Sequence, residues 1–239
     1  MNDIEESEKR TRQREISNRY IRLPVAFLIK HNITPNKISL IGFILSVIGS
    51  LLLAIGCLYA SLWFSWIVPV FIGLAGTFDL FDGEVARKTG KVTPAGAYLD
   101  SNLDRLSDAL LILGLIYGGL INFLLGYIIL FLVIMISYTR SRAENEGVNM
   151  KGIGYMERAE RILFLLFTII FELIFYFSTQ LIFGEPITVF IPFITRIPVS
   201  PIFLIGIIIF IFTLIYTIIQ RLSFTFKSLK KVSISDKEI

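Results

Sequence analysis

Six apolar stretches dominate the sequence and restrict the folds that the chain can adopt. They are predicted to form helices near Ile38–Ala60, Leu62–Phe81, Ala97–Tyr117, Leu120–Tyr138, Ile162–Leu181 and Pro201–Leu222. Each is close to the roughly 20 residues that a helix needs to cross a bilayer, where its backbone hydrogen bonds are satisfied internally. Because 54% of the 239 residues are hydrophobic, the sequence predicts an all-α, polytopic integral membrane protein with six transmembrane helices.

The segment before the first apolar stretch is charged at first and then amphipathic. Between Ile16 and Lys30, apolar side chains such as Leu23 and Phe27 are interspersed with basic ones such as Arg22. This composition is typical of a helix that lies at a membrane surface. The N-terminal segment contains no apolar core of a signal peptide, so we expect no cleaved leader.

Lysine and arginine lie almost entirely on one side of the predicted spans. Eight precede the first span, three lie between the second and third, five between the fourth and fifth, and five at the end of the chain, whereas the opposite loops contain only Arg196. By the positive-inside rule, both termini and the loop between the second and third spans face the cytoplasm. The sequence therefore predicts a multi-pass protein of the cell membrane. Its predicted segments are a cytoplasmic N-terminal segment with an interfacial helix (1–33), a six-helix domain (34–224) and a charged cytoplasmic tail (225–239).

Four aspartates, Asp79, Asp82, Asp100 and Asp104, lie in or beside the second and third apolar stretches. A carboxylate near the membrane interior is costly, so we interpret these residues first as a functional site. On helices, spacings of three and four residues turn each pair toward one side. Four ionised carboxylates would repel one another, and two divalent cations would balance their formal charge. Because hard cations such as Mg²⁺ prefer oxygen ligands, the pattern predicts a cation site.

The stretch that contains these aspartates resembles the signature of the CDP-alcohol phosphotransferase family, D-x2-D-G-x2-A-R-x8-G-x3-D-x3-D. Every defined position is present, at Asp79, Asp82, Gly83, Ala86, Arg87, Gly96, Asp100 and Asp104. So many specified residues at fixed spacing make a specific match, which disfavours simple helix caps or ion pairs. The resemblance implies transfer of a phosphatidyl-type group from a CDP-linked lipid to a polar alcohol, with release of CMP, in phospholipid biosynthesis. It also implies a homodimer.

The resemblance further implies roles for the acidic residues. It assigns Asp79, Asp82 and Asp100 to two divalent cations, Mg²⁺ or Mn²⁺. Asp104 would complete this acidic metal-binding set and act as the general base that removes a proton from the acceptor hydroxyl. Asp108 lies one turn beyond Asp104 but outside the signature. Two interpretations of Asp108 remain open, a buried polar contact and a supporting role at the site.

The CDP group is expected to lie against the small residues of the signature. Gly83, Ala86 and Gly96 carry little or no side chain, so a substrate could approach the helix backbone closely. The resemblance assigns these three residues to CDP binding. Arg87 would pair with aspartate or phosphate oxygens in the same site.

A set of arginines between the fourth and fifth spans points to a phosphorylated acceptor. These are Arg140, Arg142, Arg158 and Arg161, in the segment SYTRSRAENEGVNMKGIGYMERAERI. Guanidinium groups bind phosphate through two parallel hydrogen bonds. The pattern S-Y-x-[KR]-x-R-A-E followed by E-R-x-E-R resembles the inositol-phosphate branch of the family, the phosphatidylinositol-phosphate and archaetidylinositol-phosphate synthases. The alternative is a cytoplasmic loop that only contacts lipid headgroups.

Other functions remain open at this point. Glycerol 3-phosphate would also require an arginine cluster, and a di-inositol phosphate could be made from CDP-inositol. Aspartates inside a membrane also suit a cation or proton transporter, although an ion path does not need the strip of small residues. The net charge of +4 follows from the loop charges, so no nucleic-acid partner is expected. The proline-interrupted segment Gln180–Ser200 is predicted to pack at the outer interface, and we assign it no function.

The charge distribution predicts that the loop Arg87–Pro94 faces the cytoplasm. After replacement of Cys57 by alanine, a Lys91→Cys variant should be labelled only by a thiol reagent that reaches the cytoplasmic side. An Arg196→Cys variant, in the opposite loops, is the control and should be labelled from outside. Labelling of Lys91→Cys from outside alone would overturn the orientation.

Overall fold

The computed structural model describes residues 22–235, with side chains as far as residue 230. These residues form seven α-helices, which confirms the predicted all-α fold class. They are α1 (22–30), α2 (Pro35–Ala54), α3 (Ile67–Thr89), α4 (Pro94–Tyr117), α5 (Phe123–Asn145), α6 (Arg158–Phe183) and α7 (Pro201–Ser235). Two short 3₁₀-helices, Cys57–Tyr59 and Phe64–Trp66, lie between α2 and α3.

Each predicted apolar stretch corresponds to one helix from α2 to α7. The helix boundaries differ from the predicted ones, because hydropathy marks only the apolar part of a helix. Thus α3 continues beyond Phe81 to Thr89, and α5 continues beyond Tyr138 to Asn145. Most of the predicted site residues of these two helices lie in such polar extensions, whereas Asp79 lies just before the end of its predicted stretch.

Five stretches of the described chain are long and apolar enough to cross a membrane. They are Pro35–Ala54, Phe64–Thr89, Phe123–Asn145, Arg158–Phe183 and Pro201–Lys230. Helix α4 has a similar length, but its sequence contains the charged residues Asp100, Asp104, Arg105 and Asp108. The protein is therefore a polytopic membrane protein, whereas the count of six spans stays a prediction.

The chain divides into two compact units, of which the first comprises residues 1–44 and 74–104. Its described part contains a buried apolar cluster of Val25, Leu28, Ile38, Phe81 and Val85. These residues belong to α1, the first half of α2 and the second half of α3. The cluster therefore supports the part of α3 that bears Asp79 and Asp82.

The second unit comprises residues 45–73 and 105–239, and it contains most of the buried apolar residues. Within it, the second half of α2 and the end of α4 meet at their backbones. A Cβ atom on Gly118 would lie 2.3 Å from the carbonyl oxygen of Leu53, and one on Gly114 would lie 2.7 Å from that of Ser50. Small residues permit such close helix packing in membranes, so a side chain at either glycine would push these segments apart.

The proline-interrupted segment between α6 and α7 packs against the turn between α4 and α5. The backbone N–H groups of Arg196 and Ile197 donate to the carbonyl oxygen of Gly119, at 2.9 and 3.1 Å. The N–H of Asn122 donates in turn to the carbonyl oxygen of Ile194, at 2.7 Å. These bonds satisfy backbone groups that an apolar environment would leave unpaired, which explains how an irregular apolar segment is held in place.

A buried carboxylate fastens this segment to the helices. Glu172 of α6 is fully buried and accepts a hydrogen bond from the Tyr59 hydroxyl at 2.5 Å. It also accepts hydrogen bonds from the Ser200 N–H at 3.1 Å and from the Ser200 hydroxyl. Since three donors satisfy the carboxylate, Glu172 links α6 to the 3₁₀-helix Cys57–Tyr59 and to the start of α7. No role for Glu172 is predicted from the sequence.

Replacement of Glu172 by glutamine should destabilise the protein without unfolding it. Glutamine keeps the shape, but it has one acceptor oxygen and no charge, and hydrogen bonds to a charged group contribute about 1.5–3 kcal/mol each. The apparent melting temperature in detergent should fall by several degrees. The control is Glu185→Gln, which removes a charge from an exposed position and should leave the melting temperature unchanged. Equal melting temperatures for both variants would contradict a stabilising role for Glu172.

Candidate active site

Three carboxylates from two helices converge in the first unit. Asp79 and Asp82 lie on α3 and Asp100 lies on α4, and one ligand oxygen of each is within 4.8 Å of the other two. Asp82 is 5% exposed, while Asp79 and Asp100 are half-buried. A short connection makes this arrangement possible, because α3 ends at Thr89 and α4 begins at Pro94.

The turn between these helices has the geometry of a helix C-terminus followed by an N-cap. Gly90 has a φ of +65°, and the Lys91 N–H donates to the Ala86 carbonyl oxygen at 3.0 Å, as in a Schellman motif. Thr93 then caps α4, because its hydroxyl oxygen accepts a hydrogen bond from the Gly96 N–H at 3.1 Å. Both helix ends are thus specified locally, and this places Asp100 beside the aspartates of α3.

The three clustered carboxylates fit a divalent cation. Like charges this close raise the free energy of the ionised state, and a cation or a shared proton relieves it. The Oδ2 atom of Asp82 is buried and has no hydrogen-bond partner among the described residues. Carboxylate oxygens are the ligands that Mg²⁺ and Mn²⁺ prefer. Three of the four predicted metal ligands therefore have the geometry of a cation site.

The fourth predicted ligand, Asp104, occupies a different place in this geometry. It lies on α4 one turn after Asp100 and is half-buried. Its carboxylate is not among the three whose oxygens converge. Asp104 therefore lies outside the group of three, and its roles as metal ligand and general base stay predictions.

The residues predicted to contact CDP lie on the same two helices. Gly83 and Ala86 follow Asp82 on α3, and Gly96 precedes Asp100 on α4. Arg87 is exposed, and its Nη2 lies 2.9 Å from Glu84, which also pairs with Lys88. In this structure Arg87 thus contacts a neighbouring glutamate. Such exposed ion pairs contribute little to stability, so the guanidinium can exchange its partner for a phosphate.

The four predicted acceptor arginines fall into two pairs. Arg140 and Arg142 form ion pairs within the last turns of α5, with Glu144 and Glu146 at 3.0 and 2.5 Å. These pairs are largely exposed. The two glutamates explain why a basic loop also contains acidic residues.

In the second pair Arg161 is buried and Arg158 is half-buried, and the two share one partner. Arg161 of α6 donates through Nη2 to Oδ2 of Asp108 at 2.8 Å, and the Nε of Arg158 lies 3.6 Å from Oδ1 of the same carboxylate. Arg161 is 4% exposed and Asp108 is 9% exposed. Asp108 therefore makes a buried polar contact with the predicted acceptor arginines.

A fifth arginine, Arg221, lies near two of the predicted acceptor arginines. Arg221 of α7 is 3% exposed and donates to the carbonyl oxygens of Ile136 and Ile153, at 2.6 and 3.0 Å. Arg140 and Arg161 lie close enough for their charges to act on it. In the sequence, Arg221 is one of the five basic residues at the end of the chain. Its position inside the last apolar stretch was the signal that could have identified it.

The sequence profile of the CDP-alcohol phosphatidyltransferase family matches residues 32–219 of the chain. Among curated proteins, the archaetidylinositol phosphate synthase of Pyrococcus horikoshii is 38% identical over 141 residues. That alignment covers 59% of this chain and 71% of the relative.

Solved structures of the Mycobacterium tuberculosis phosphatidylinositol phosphate synthase have the same fold. The complex with CDP-DAG has a TM-score of 0.61 and 27% identity, and the match covers 87% of this chain and 94% of that one. The complex with manganese and citrate has a TM-score of 0.60, with 84% and 87% covered. These matches disfavour the transporter alternative. Because the family profile spans most of the sequence, the chain belongs to the CDP-alcohol phosphatidyltransferase family and is a membrane-bound phosphotransferase.

Proposed function

We propose that this enzyme transfers a phosphatidyl-type group, with diacyl or diether chains, from a CDP-linked lipid to inositol phosphate. The observation that carries the proposal is the convergence of Asp79, Asp82 and Asp100, whose ligand oxygens lie within 4.8 Å of one another. Family membership supports the CDP-alcohol donor. The names of the archaeal and mycobacterial relatives support inositol phosphate as the acceptor.

The proposed reaction is a single displacement at phosphorus. The acceptor hydroxyl oxygen attacks the phosphorus that bears the lipid, and a new P–O bond forms. The bond from that phosphorus to the bridging oxygen breaks, and CMP leaves with the electron pair. Asp104, half-buried and one turn from Asp100, takes the proton of the hydroxyl as general base.

The clustered aspartates would hold two divalent cations, Mg²⁺ or Mn²⁺. When bound, such ions neutralise the diphosphate and stabilise the leaving group. The manganese-bound structure of the mycobacterial relative supports this assignment. Asp79, Asp82 and Asp100 fix the ligand positions because they belong to two helices joined by a short turn.

The donor would lie along the small residues of α3 and α4. Gly83, Ala86 and Gly96 present no bulk, so the CDP group can approach the backbone. Arg87 would leave its exposed ion pair with Glu84 for a phosphate oxygen. The CDP-DAG complex of the mycobacterial relative supports a CDP-lipid donor.

The acceptor phosphate would be bound by the arginines of the second unit. Arg158 and Arg161 are held by Asp108, and Arg221 lies near Arg161. Arg140 and Arg142 are exposed and can contribute after changing partners. Guanidinium groups bind phosphate oxygens through paired hydrogen bonds, so a cluster of arginines suits a phosphorylated alcohol better than a neutral one.

The location of the enzyme is part of the proposal. The loop charges support a protein of the cell membrane whose active site and both termini face the cytoplasm. The proposed segments are the N-terminal segment 1–33, the catalytic domain 34–224 and the tail 225–239. We also propose a homodimer, as the family resemblance implies.

Replacement of Asp82 by asparagine should abolish metal-dependent CMP release. The amide keeps the shape but removes a charged ligand oxygen from a buried position. Mn²⁺ binding to the purified protein, followed by electron paramagnetic resonance, should weaken in parallel. The contrasting variant is Asp104→Asn, which should keep Mn²⁺ and CDP-lipid binding but lower the chemical rate by about 10²–10⁴. Wild-type Mn²⁺ affinity and turnover in Asp82→Asn would refute the metal site.

The acceptor is identified by a screen of inositol phosphate, inositol, glycerol 3-phosphate and serine with a CDP-lipid. Inositol phosphate should be the preferred substrate. Arg158→Ala and Arg161→Ala should each raise its KM roughly 10- to 150-fold, the equivalent of about 1.5–3 kcal/mol for a charge-assisted hydrogen bond. Replacement of the exposed Arg142 by alanine should raise KM for inositol phosphate by a smaller factor.

The control for these variants is Arg196→Ala. Arg196 is an exposed arginine stacked on Phe123, 4.6 Å from the ring centroid, and its loss should leave acceptor KM unchanged. A preference for glycerol 3-phosphate would replace the proposed acceptor. If KM for inositol phosphate is unchanged in all of the arginine variants, these arginines do not bind the acceptor phosphate.

A further inference from the structure

We propose that Asp108 is a positioning residue for the acceptor site, whose carboxylate orients Arg158 and Arg161 for binding of the acceptor phosphate. The inference rests on the proposed function and deepens it. Asp108 does not belong to the signature of the family. Its proposed role comes from its contacts with the two arginines.

One carboxylate contacts two guanidinium groups through different oxygens. Oδ2 accepts from Nη2 of Arg161 at 2.8 Å, and Oδ1 lies 3.6 Å from Nε of Arg158. The two arginines are three residues apart, in the first turn of α6. Asp108 is 9% exposed and Arg161 is buried, whereas Arg158 is half-buried. The carboxylate thus holds Arg161 by a hydrogen bond and attracts Arg158 to the same place.

Charges of both signs lie around this contact. Arg140 and Arg161 lie close enough to Arg221 for their charges to act on it, and the charges of Glu157 and Glu144 oppose theirs. Because Asp108 contacts two arginines of this cluster, it determines in which direction their remaining N–H groups can donate.

Arg161 also retains hydrogen-bonding capacity. Its Nε is buried and has no partner among the described residues. A small cavity beside the pair is lined by Asp108 and Arg161 and by apolar side chains that include Leu111, Val133 and Phe210. These apolar groups offer no acceptor, and the cavity has room for about one water molecule. The Nε–H group of Arg161 therefore remains available to an oxygen of the acceptor phosphate or to a bridging water.

Two possible roles for Asp108 predict opposite changes in phosphate affinity when Asp108 is removed. If Asp108 only neutralised charge, its removal would tighten phosphate binding, because the anion would lose a repulsive neighbour. If Asp108 orients the arginines, its removal would weaken binding. The Asp108→Asn variant separates these outcomes, since asparagine keeps the size and offers only one acceptor oxygen.

For Asp108→Asn we expect KM for inositol phosphate to rise about 10- to 100-fold, the range seen when a group that orients a metal ligand is removed. KM for the CDP-lipid should be unchanged. Calorimetric titration with inositol phosphate in the absence of CDP-lipid should show the same loss of affinity. Asp108→Glu keeps the charge but displaces the carboxylate oxygens. Its KM for inositol phosphate should therefore lie between the values of Asp108→Asn and the wild type.

The matched control is Glu172→Gln. This variant neutralises another buried carboxylate of the second unit and should lose stability while acceptor KM stays the same. A double variant, Asp108→Asn with Arg161→Ala, should bind inositol phosphate only slightly more weakly than Arg161→Ala alone, because Asp108 acts through the arginines.

The experiment distinguishes failure of this inference from failure of the proposed function. If the arginine variants raise acceptor KM but Asp108→Asn leaves it unchanged or lowers it, Asp108 does not position them. If the arginine variants and Asp108→Asn all leave it unchanged, the acceptor site itself lies elsewhere. A loss of stability in Asp108→Asn with wild-type affinity for inositol phosphate in the folded fraction would leave Asp108 a structural residue only.

Discussion

A charge buried among apolar helices is stable only beside groups that compensate it, and this constraint determines how the polar residues of the protein are arranged. Glu172 is compensated by hydroxyl and backbone donors, and Asp108 by two arginines. The converging aspartates on α3 and α4 have the geometry of a cation site. The same physical requirement thus produces a structural contact, a contact between charged residues and a candidate catalytic centre.

The contrast between exposed and buried arginines has a mechanistic meaning within the proposed function. Arg140 and Arg142 pair with glutamates one turn away on the surface of α5, and such pairs are weak. Arg158 and Arg161 share a buried aspartate, and their rotamers are constrained. A binding site with both kinds of arginine combines fixed groups, which define where a phosphate sits, with mobile groups that can follow the rest of the acceptor.

The acidic centre could be predicted from the sequence because its information is local. The spacing of Asp79, Asp82, Asp100 and Asp104 on two helices, together with a short glycine-containing turn, leaves few ways to arrange the carboxylates. The presence of the helices was equally predictable, because a long apolar segment in a membrane satisfies its backbone hydrogen bonds by forming a helix. Helix ends were less predictable, because α3 and α5 continue into charged segments that hydropathy does not detect.

The remaining polar contacts could not be predicted because their partners are far apart in sequence. Asp108 contacts arginines on α6, and Glu172 contacts Tyr59 and Ser200. Arg221 donates to one carbonyl oxygen of α5 and to one in the loop that follows α5. A single charged or hydroxyl residue in an apolar stretch signals that a partner exists, but the partner's identity depends on tertiary packing.

The hydrogen bonds of Glu172 also bear on the order in which the protein assembles. When α6 first enters the membrane, its carboxylate has no access to Ser200, because the residues of α7 follow it in the chain. A lone acidic residue at the centre of an inserting helix costs about 2.5–3.5 kcal/mol on insertion scales. The hydrogen bonds from Ser200 offset part of this cost, so α6 gains stability in the membrane when the segment that precedes α7 reaches Glu172.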